Sequence, residues 1–451
     1  MPVDTVLRNA RVVVRGRIVE AGLAIDEGRV FRIAKKTNLP QASKKIDLKG
    51  NVILPGLIDS HVHLRNKRLA YKEDFYSGTA AAAAGGVTLV IDMPNNKPVT
   101  MDSISLRERM KLAEKRAVVN VAFYSAFPQN LKEISSIVKE GAVAFKLYMS
   151  KQIGGLDISD YGLLLRAFNT VAEKEVPVAV HAEDRRILES ERRKMEKTGH
   201  KDVETYAKAR PPEAEAQSIR QIAQLAKKSR VAIHFCHVSS KIGLNAFLAA
   251  KKDGLNVTCE VTPHHLLLHL KHLKTHKTLA ITNPPLRKNK DVVSLWSALN
   301  QGFIDTIASD HAPHTIEEKE VESIWEVKPG IPGLETTLPL LLNEVSKGRL
   351  PIADLIKLTS EKPASIFNLK NRGSLVEGNW ADIAVVDLKR KYKINSSNFH
   401  SKAKYSPFDR WIVKGKVTKT FVEGRIVMDD DEIVAKPGTS QTIRRMRMNH
   451  Q

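Results

Sequence analysis

The chain has 451 residues, enough for a large core and more than one domain, and its 42% hydrophobic and 6% aromatic content is that of an ordinary soluble globular protein. No run of ~18 apolar residues appears, which excludes a membrane-spanning helix; Cys236 and Cys259 each sit in an apolar run and suit a reduced intracellular protein better than a disulfide framework. Lys and Arg number 72 against 50 Asp and Glu, a formal +22, but the charges are spread out with local clusters at Glu191–Lys197, His269–Lys277 and Arg444–Arg447, and no nucleic-acid motif accompanies them. They read as a basic solvated surface that could also steer anions.

The N-terminus enters directly into short alternating strands without a charged-then-apolar leader, which makes the cytoplasm the expected address. These strands are Val12–Val14, Arg17–Val19, Gly22–Asp26 and Val30–Ile33, punctuated by Gly16, Gly28 and Gly50. The same texture returns at Asp382–Asp387, Trp411–Val413 and Lys419–Val427. Both ends are therefore expected to build one small β domain into which the middle is inserted. The boundaries fall at 1–54, 55–369 and 370–435, with a basic tail at 436–451 expected to be disordered.

Between the ends, apolar strands alternate with amphipathic helices. Strands are expected at Val52–His63, Gly86–Met93, Val118–Phe127, Ala142–Met149, Val176–Ala182, Val231–Val238, Asn256–Thr262 and Phe303–Ser309. Helices such as Ser103–Arg116, Tyr161–Lys174, Glu213–Lys228 and Asp291–Leu299 separate them, Pro211-Pro212 marking one N-terminus. Near-continuous apolar strands imply a parallel sheet covered on both faces, and eight β-α units close into a (β/α)8 TIM-type barrel; an open doubly wound sheet is the alternative.

In such a barrel, chemistry gathers at the C-terminal strand ends. Those ends read His61-Val62-His63, Lys146, His181, His237 and Ser309-Asp310-His311. His61 and His63, two apart on a strand, point to the same side. Alone the pair says little; joined by two more strand-end histidines and an aspartate, it reads as a ligand set. Four histidines and a carboxylate exceed what one tetrahedral zinc with an open position needs, and suit two metals ~3.5–4 Å apart. Lys146 is odd there as an ammonium, and makes sense as a carbamate whose two oxygens span the metals; pairing with an acid is the plainer alternative.

These segments, taken with Pro55-Gly56-Leu57-Ile58-Asp59, Met93-Pro94-Asn95, Phe145-Lys146-Leu147-Tyr148, Asn283-Pro284-Pro285-Leu286-Arg287 and Asp310-His311-Ala312-Pro313-His314, resemble the amidohydrolase superfamily over nearly the whole chain, and within it the dihydroorotases. The resemblance implies a barrel flanked by a β-sandwich made from both chain ends. It also implies two zinc ions per subunit: His61 and His63 on one, His181 and His237 on the other, carboxylated Lys146 and a hydroxide bridging them. Asp310 would be both a metal ligand and the catalytic base and acid.

The implied reaction is the reversible closure of N-carbamoyl-L-aspartate to L-dihydroorotate, with Arg65, Asn95 and His314 on the exocyclic carboxylate and Asn283 on the ring. Allantoinases and hydantoinases, the alternative class, generally lack that trio; a non-enzymatic scaffold on the same fold would usually lack the ligands. The resemblance leaves open a homodimer and an association with a transcarbamoylase, and it points to no nucleic acid and no membrane. After Arg65 the family usually reads Glu-Pro-Gly, whereas this chain reads Asn66-Lys67-Arg68. Some relatives place an aspartate in the bridging role, for which Asp157 is the reserve.

Overall fold

The computed structural model describes residues 2–14 and 16–445. Eight parallel strands, β1 (Leu57–Val62), β2 (Val87–Asp92), β3 (Asn120–Ala126), β4 (Ala144–Tyr148), β5 (Val178–His181), β6 (Ile233–Phe235), β7 (Val257–Val261) and β8 (Thr306–Ile307), pair in strict chain order. Beyond β8 the regular strand lapses at Ala308–Asp310, and an isolated bridge follows at His311. His63 N–H donates to the His311 carbonyl at 2.8 Å, and Val62 bridges His311 in parallel, so the last strand end meets the first. This is the expected TIM-type barrel. Every residue of β1 to β5 is buried, as strands covered on both faces must be.

The helices start where short acidic or hydroxyl side chains cap them: Asp74 before Phe75–Ala84, Asp102 before Ser103–Arg116, Asp160 before Tyr161–Ala172, Asp184 before Arg185–Lys197 and Ser240 before Lys241–Lys252. Their apolar faces close over the barrel with Phe75, Phe123, Phe145, Phe168, Phe235 and Phe247, each fully buried and worth roughly 1.5–3 kcal/mol over an exposed position. The clusters at Glu191–Lys197 and His269–Lys277 fall on the outer helices Arg185–Lys197 and Leu270–His276 and are largely exposed.

The expected single strand Val52–His63 is two strands in two sheets. Val52–Pro55 pairs antiparallel with Ile383–Lys393 and parallel with Arg11–Val14, and β1 begins only at Leu57. The break is Pro55-Gly56. Proline has no N–H for a ladder, and a Cβ on Gly56 would fall 2.2 Å from the Thr88 side chain, so the chain turns where only glycine fits. The last expected strand, Phe303–Ser309, is likewise reduced to Thr306–Ile307 as regular strand.

The chain ends supply two further sheets. One joins Arg29–Ala34, Gly22–Asp26, Val3–Arg8 and Ala42–Asp47; the other runs Glu432–Ile433, Arg425–Asp429, Ile412–Val422, Ile383–Lys393, Val52–Pro55, Arg11–Val14 and Arg17–Glu20. Leu7, Val12, Leu23, Ile53, Ile383 and Phe421 pack in one shared apolar cluster. The polar stretch after Lys391 is tied down through Ile394, Phe399 and Phe408, which pack with Leu268, Ile281 and Ile324. The tail expected over 436–451 lies outside the described residues from 446 onward. Before that, Ile443 N–H donates to the Val121 carbonyl at 2.8 Å and Gln441 N–H to Asn120 Oδ1 at 2.9 Å, at the N-terminal end of β3.

Candidate metal centre

The strand ends bring the expected residues into one buried cluster. The four histidine rings form a continuous chain: His63 to His61 at 5.4 Å between centroids, His61 to His237 at 5.2 Å, and His237 to His181 at 4.8 Å. Asp310 closes one end, its Oδ1 3.3 Å from His61 Nε2 and 3.2 Å from His63 Nε2. His61, His63 and Asp310 thus offer three donor atoms close enough to share one ion; His61, Cys236 and Glu260 form a second such group. At the other end His181 Nδ1 lies 3.1 Å from His237 Nε2, and His237 Nδ1 is buried with no partner.

Lys146 enters from β4 between the two halves. It is fully buried, donates to Cys236 Sγ at 2.8 Å and stands 5.2 Å over the Tyr148 ring. Burial holds His181 and His237 below the usual imidazole range, and the Lys146 charge pushes the same way at both and at His61. Burial, joined by the charges of Arg65 and His61 and opposed by Asp310, brings His63 down to about 3, leaving it neutral and able to donate a lone pair. At His61 burial and Lys146 also act downward, but Glu260 and Asp310 outweigh them and lift it to about 10. Burial would raise Asp310; the charge of His61 and the hydrogen bond from His63 overcome it and keep the carboxylate ionised. Neutral buried imidazoles at His63, His181 and His237, an ionised carboxylate and an orphaned ring nitrogen are donors a divalent metal fits, and His61 would give up its proton to join them.

A surrounding set of acids orients these ligands, and sequence reading missed it. Glu260 on β7 contacts His61 Nδ1, stands 3.2 Å from His234 Nε2 and accepts from His237 N–H at 3.1 Å. Glu183 stands 2.8 Å from His181 Nε2 and pairs with Arg210. Such partners fix which ring nitrogen faces the metal. The only sequence signal for Glu260 is a carboxylate inside an otherwise apolar strand. Asp157, the reserve bridge, is exposed and bonded to Ser159, and the structure does not bring it to the cluster.

Three of the four expected substrate groups, Arg65, Asn95 and His314, stand at the Asp310 end, and the fourth, Asn283, is tied to Tyr206. Arg65 is buried, its Nη2 3.3 Å from His314 Nε2 and its Nε unpartnered; among the described residues no carboxylate pairs with it. Asn95 Oδ1 lies 2.6 Å from His63 Nδ1, so this side chain also turns His63 Nε2 toward Asp310. His314 Nδ1 is 3.1 Å from Glu318 Oε2 and 3.2 Å from Lys72 Nζ, and Asn283 Oδ1 accepts from the Tyr206 hydroxyl at 2.8 Å.

The Asn66–Arg68 departure has a definite shape. Arg65, Asn66 and Lys67 have φ of 53, 58 and 47°, a left-handed run that non-glycine residues adopt at a cost of roughly 1–3 kcal/mol each. Arg109, ion-paired with Asp92, holds it by donating from Nη1 to the Arg65 carbonyl at 2.8 Å.

A parallel eightfold barrel with a buried His–Lys–Asp cluster at the C-terminal strand ends is the frame of a metal-dependent hydrolase. The chain belongs to the amidohydrolase family, whose description it matches over residues 52–427. Members of that family generally bind a metal, in agreement with the His and Asp groups described above. Among curated relatives, it is 37% identical over 438 residues to a dihydroorotase of Methanothermobacter thermautotrophicus, covering 96% of each chain. It is 33% identical over 449 residues to an L-hydantoinase of Paenarthrobacter aurescens, covering 98% of each. A solved L-hydantoinase (dihydropyrimidinase) from Arthrobacter aurescens superposes with a TM-score of 0.94 at 33% identity, over 98% of this chain and all of that one.

Proposed function

We propose that the protein is a dihydroorotase, interconverting N-carbamoyl-L-aspartate and L-dihydroorotate. The observation that carries this reading is Arg65: a buried guanidinium beside the His61–His63–Asp310 group, with an unpartnered Nε and, among the described residues, no carboxylate paired with it. A buried cation of this kind calls for an anionic partner, and a substrate carboxylate meets its fork with two hydrogen bonds. The curated relatives named dihydroorotase support it further.

His61, His63 and Asp310 would hold one zinc ion and His181 and His237 a second, with Lys146, as its carbamate, reaching both. The pair, when bound, polarises a carbonyl and acidifies water toward neutrality. Arg65, with His314 and the Asn95 amide, would grip the exocyclic carboxylate and so fix which ring carbonyl faces the cluster, while Asn283 orients the ring. Asp310, ionised and next to both imidazoles, would take the proton of the attacking water and deliver it to the ring nitrogen as the C–N bond breaks. In the closing direction the same carboxylate takes the carbamoyl N–H proton and returns it to the departing oxygen.

The experiment is ring opening of dihydroorotate followed together with metal content. Arg65→Ala should raise KM at least about tenfold with metal content unchanged, the cost of losing a bidentate carboxylate contact; unchanged kinetics would remove the assignment. Lys146→Ala should lose activity by about a hundredfold or more and bind less metal; a fully active variant would remove Lys146 as the bridge. The likeness to L-hydantoinase favours one second reading, in which a 5-substituted hydantoin is hydrolysed at the higher kcat/KM and dihydroorotate is not.

A further inference from the structure

Lys319 is fully buried, yet no carboxylate pairs with it among the described residues. Its Nζ donates to three backbone carbonyls instead: Ile281 at 3.0 Å, Lys328 at 3.1 Å and Gly330 at 2.9 Å. Burying an ammonium costs several kcal/mol unless its protons are satisfied, so three carbonyls converging on it is an arrangement the fold has to maintain.

The three carbonyls belong to segments with one thing in common. Ile281 lies two residues before Asn283. Lys328 and Gly330 bracket Pro329, whose carbonyl stands 3.2 Å from His314 Nε2. Lys319 itself ends the short helix Ile316–Lys319 that leaves from His314. Secondary contacts draw the same pieces together: Gly330 N–H donates to the Ile281 carbonyl at 2.9 Å, and Ala312 N–H to the Ile331 carbonyl at 2.9 Å. The fit at Gly330 is tight, for at its φ of +141° a Cβ would lie 2.3 Å from the Ala312 carbonyl oxygen. Besides this ammonium, the loop after β7 and the loop after β8 meet through the Gly330–Ile281 backbone bond and through a shared apolar cluster that holds Ile281, Leu286, Ile324 and Val327.

We propose that Lys319 is a positioning residue, its ammonium clamping the Asn283 loop to the segment that backs His314 and so setting the spacing of two groups that receive the substrate. This rests on the dihydroorotase reading for the identity of that substrate, though not for the clamp itself. Among the described residues, the Lys319 ammonium hydrogen-bonds no metal-ligand candidate, so its loss should misplace binding groups and leave the ligands in register. A merely structural lysine would lower stability and scale kcat down with the folded fraction, without touching KM.

The test is steady-state kinetics with metal analysis on the full chain, comparing wild type, Lys319→Met, which keeps the length and removes every donor, and Lys319→Gln, which restores two donors. The clamp predicts a KM for dihydroorotate raised about tenfold or more in Lys319→Met, kcat within about threefold, full metal content, and partial recovery of KM in Lys319→Gln. Unchanged KM in a folded, metal-loaded Lys319→Met overturns it, as does a fall in kcat alone. Should neither variant fold, hydrogen exchange on the wild type decides: the Gly330 and Ala312 amides should be protected, and more so with dihydroorotate bound. Exchange as fast as in exposed loops, or indifferent to substrate, overturns the clamp. A wild type inert on dihydroorotate but active on a 5-substituted hydantoin would sink the substrate reading alone, and the same KM comparison would then be made with the hydantoin.

Discussion

Arg65, Asp310 and His237 share a property that has nothing to do with their side-chain chemistry: all three sit at positive φ, 53, 47 and 36°. Ladder geometry ends at a strand's last residue, and a left-handed step there lets the next side chain leave the sheet plane toward the mouth. Sequence could name Asp310 and His237 because ionisable groups ending apolar runs stand out, and Arg65 through the family resemblance. It could not reveal Glu260 or Glu183, which are single acids whose role depends on a histidine from another strand; nor could it show that Asn95 touches His63, 32 positions away.

One buried acid away from the cluster gives a prediction at this scale. Burial raises Glu335 from 4.5 to about 7, against hydrogen bonds from the His400 and Ser401 N–H groups that act downward. The folded chain therefore binds this proton more tightly than the unfolded chain. Stability from this group is full below the unfolded value and is lost as pH rises from about 4.5 to about 7, then stays level. Glu335→Gln should flatten that part of a urea-midpoint profile and be more stable than wild type at pH 8, by about 1–3 kcal/mol; an unchanged slope would contradict it.

Among the elements, most strands and helices were legible because fully buried parallel strands and capped amphipathic helices carry strong periodic signals. The helix expected at Ser103–Arg116 is observed over that span. Legibility failed at Val52–His63, where two strands in different sheets abut and share one apolar run. The hydrophobic pattern reports burial, and both strands are buried; only Pro55-Gly56 marks the change of sheet. Gly56→Val should destabilise the fold by about 3 kcal/mol or more through its clash with Thr88. The measurement is the urea midpoint, and paired Gly56→Val/Thr88→Ala should recover part of the loss if the clash is the cause.

For the whole molecule, the barrel mouth with its candidate metal centre and the chain-end sheets are joined by a short, direct run of chain. The chain passes from the seven-stranded sheet into β1 through a single glycine, and four residues later reaches His61. Binding energy at the cluster should therefore appear as stability of the whole chain. Removing metal with a chelator should abolish ring opening and lower the melting temperature in one cooperative transition, both recovering on addition of zinc. Two separated transitions, with the first alone sensitive to chelator, would show that sandwich and barrel unfold apart. Fold class and closure were readable at this scale from the number and order of elements; the contact that makes the closure, between His63 and His311, was not, because no pattern in either residue marks it.

The C-terminal segment has a practical corollary. Gln441 to Ile443 run beside the N-terminal end of β3, and Arg445 donates to the Glu175 carbonyl just ahead of β5. Arg445 therefore lies at the rim opposite the mouth. A surface linked to the protein at Arg445 would face away from the mouth and leave turnover intact, whereas a graft into the loop after His314 would stand in the doorway.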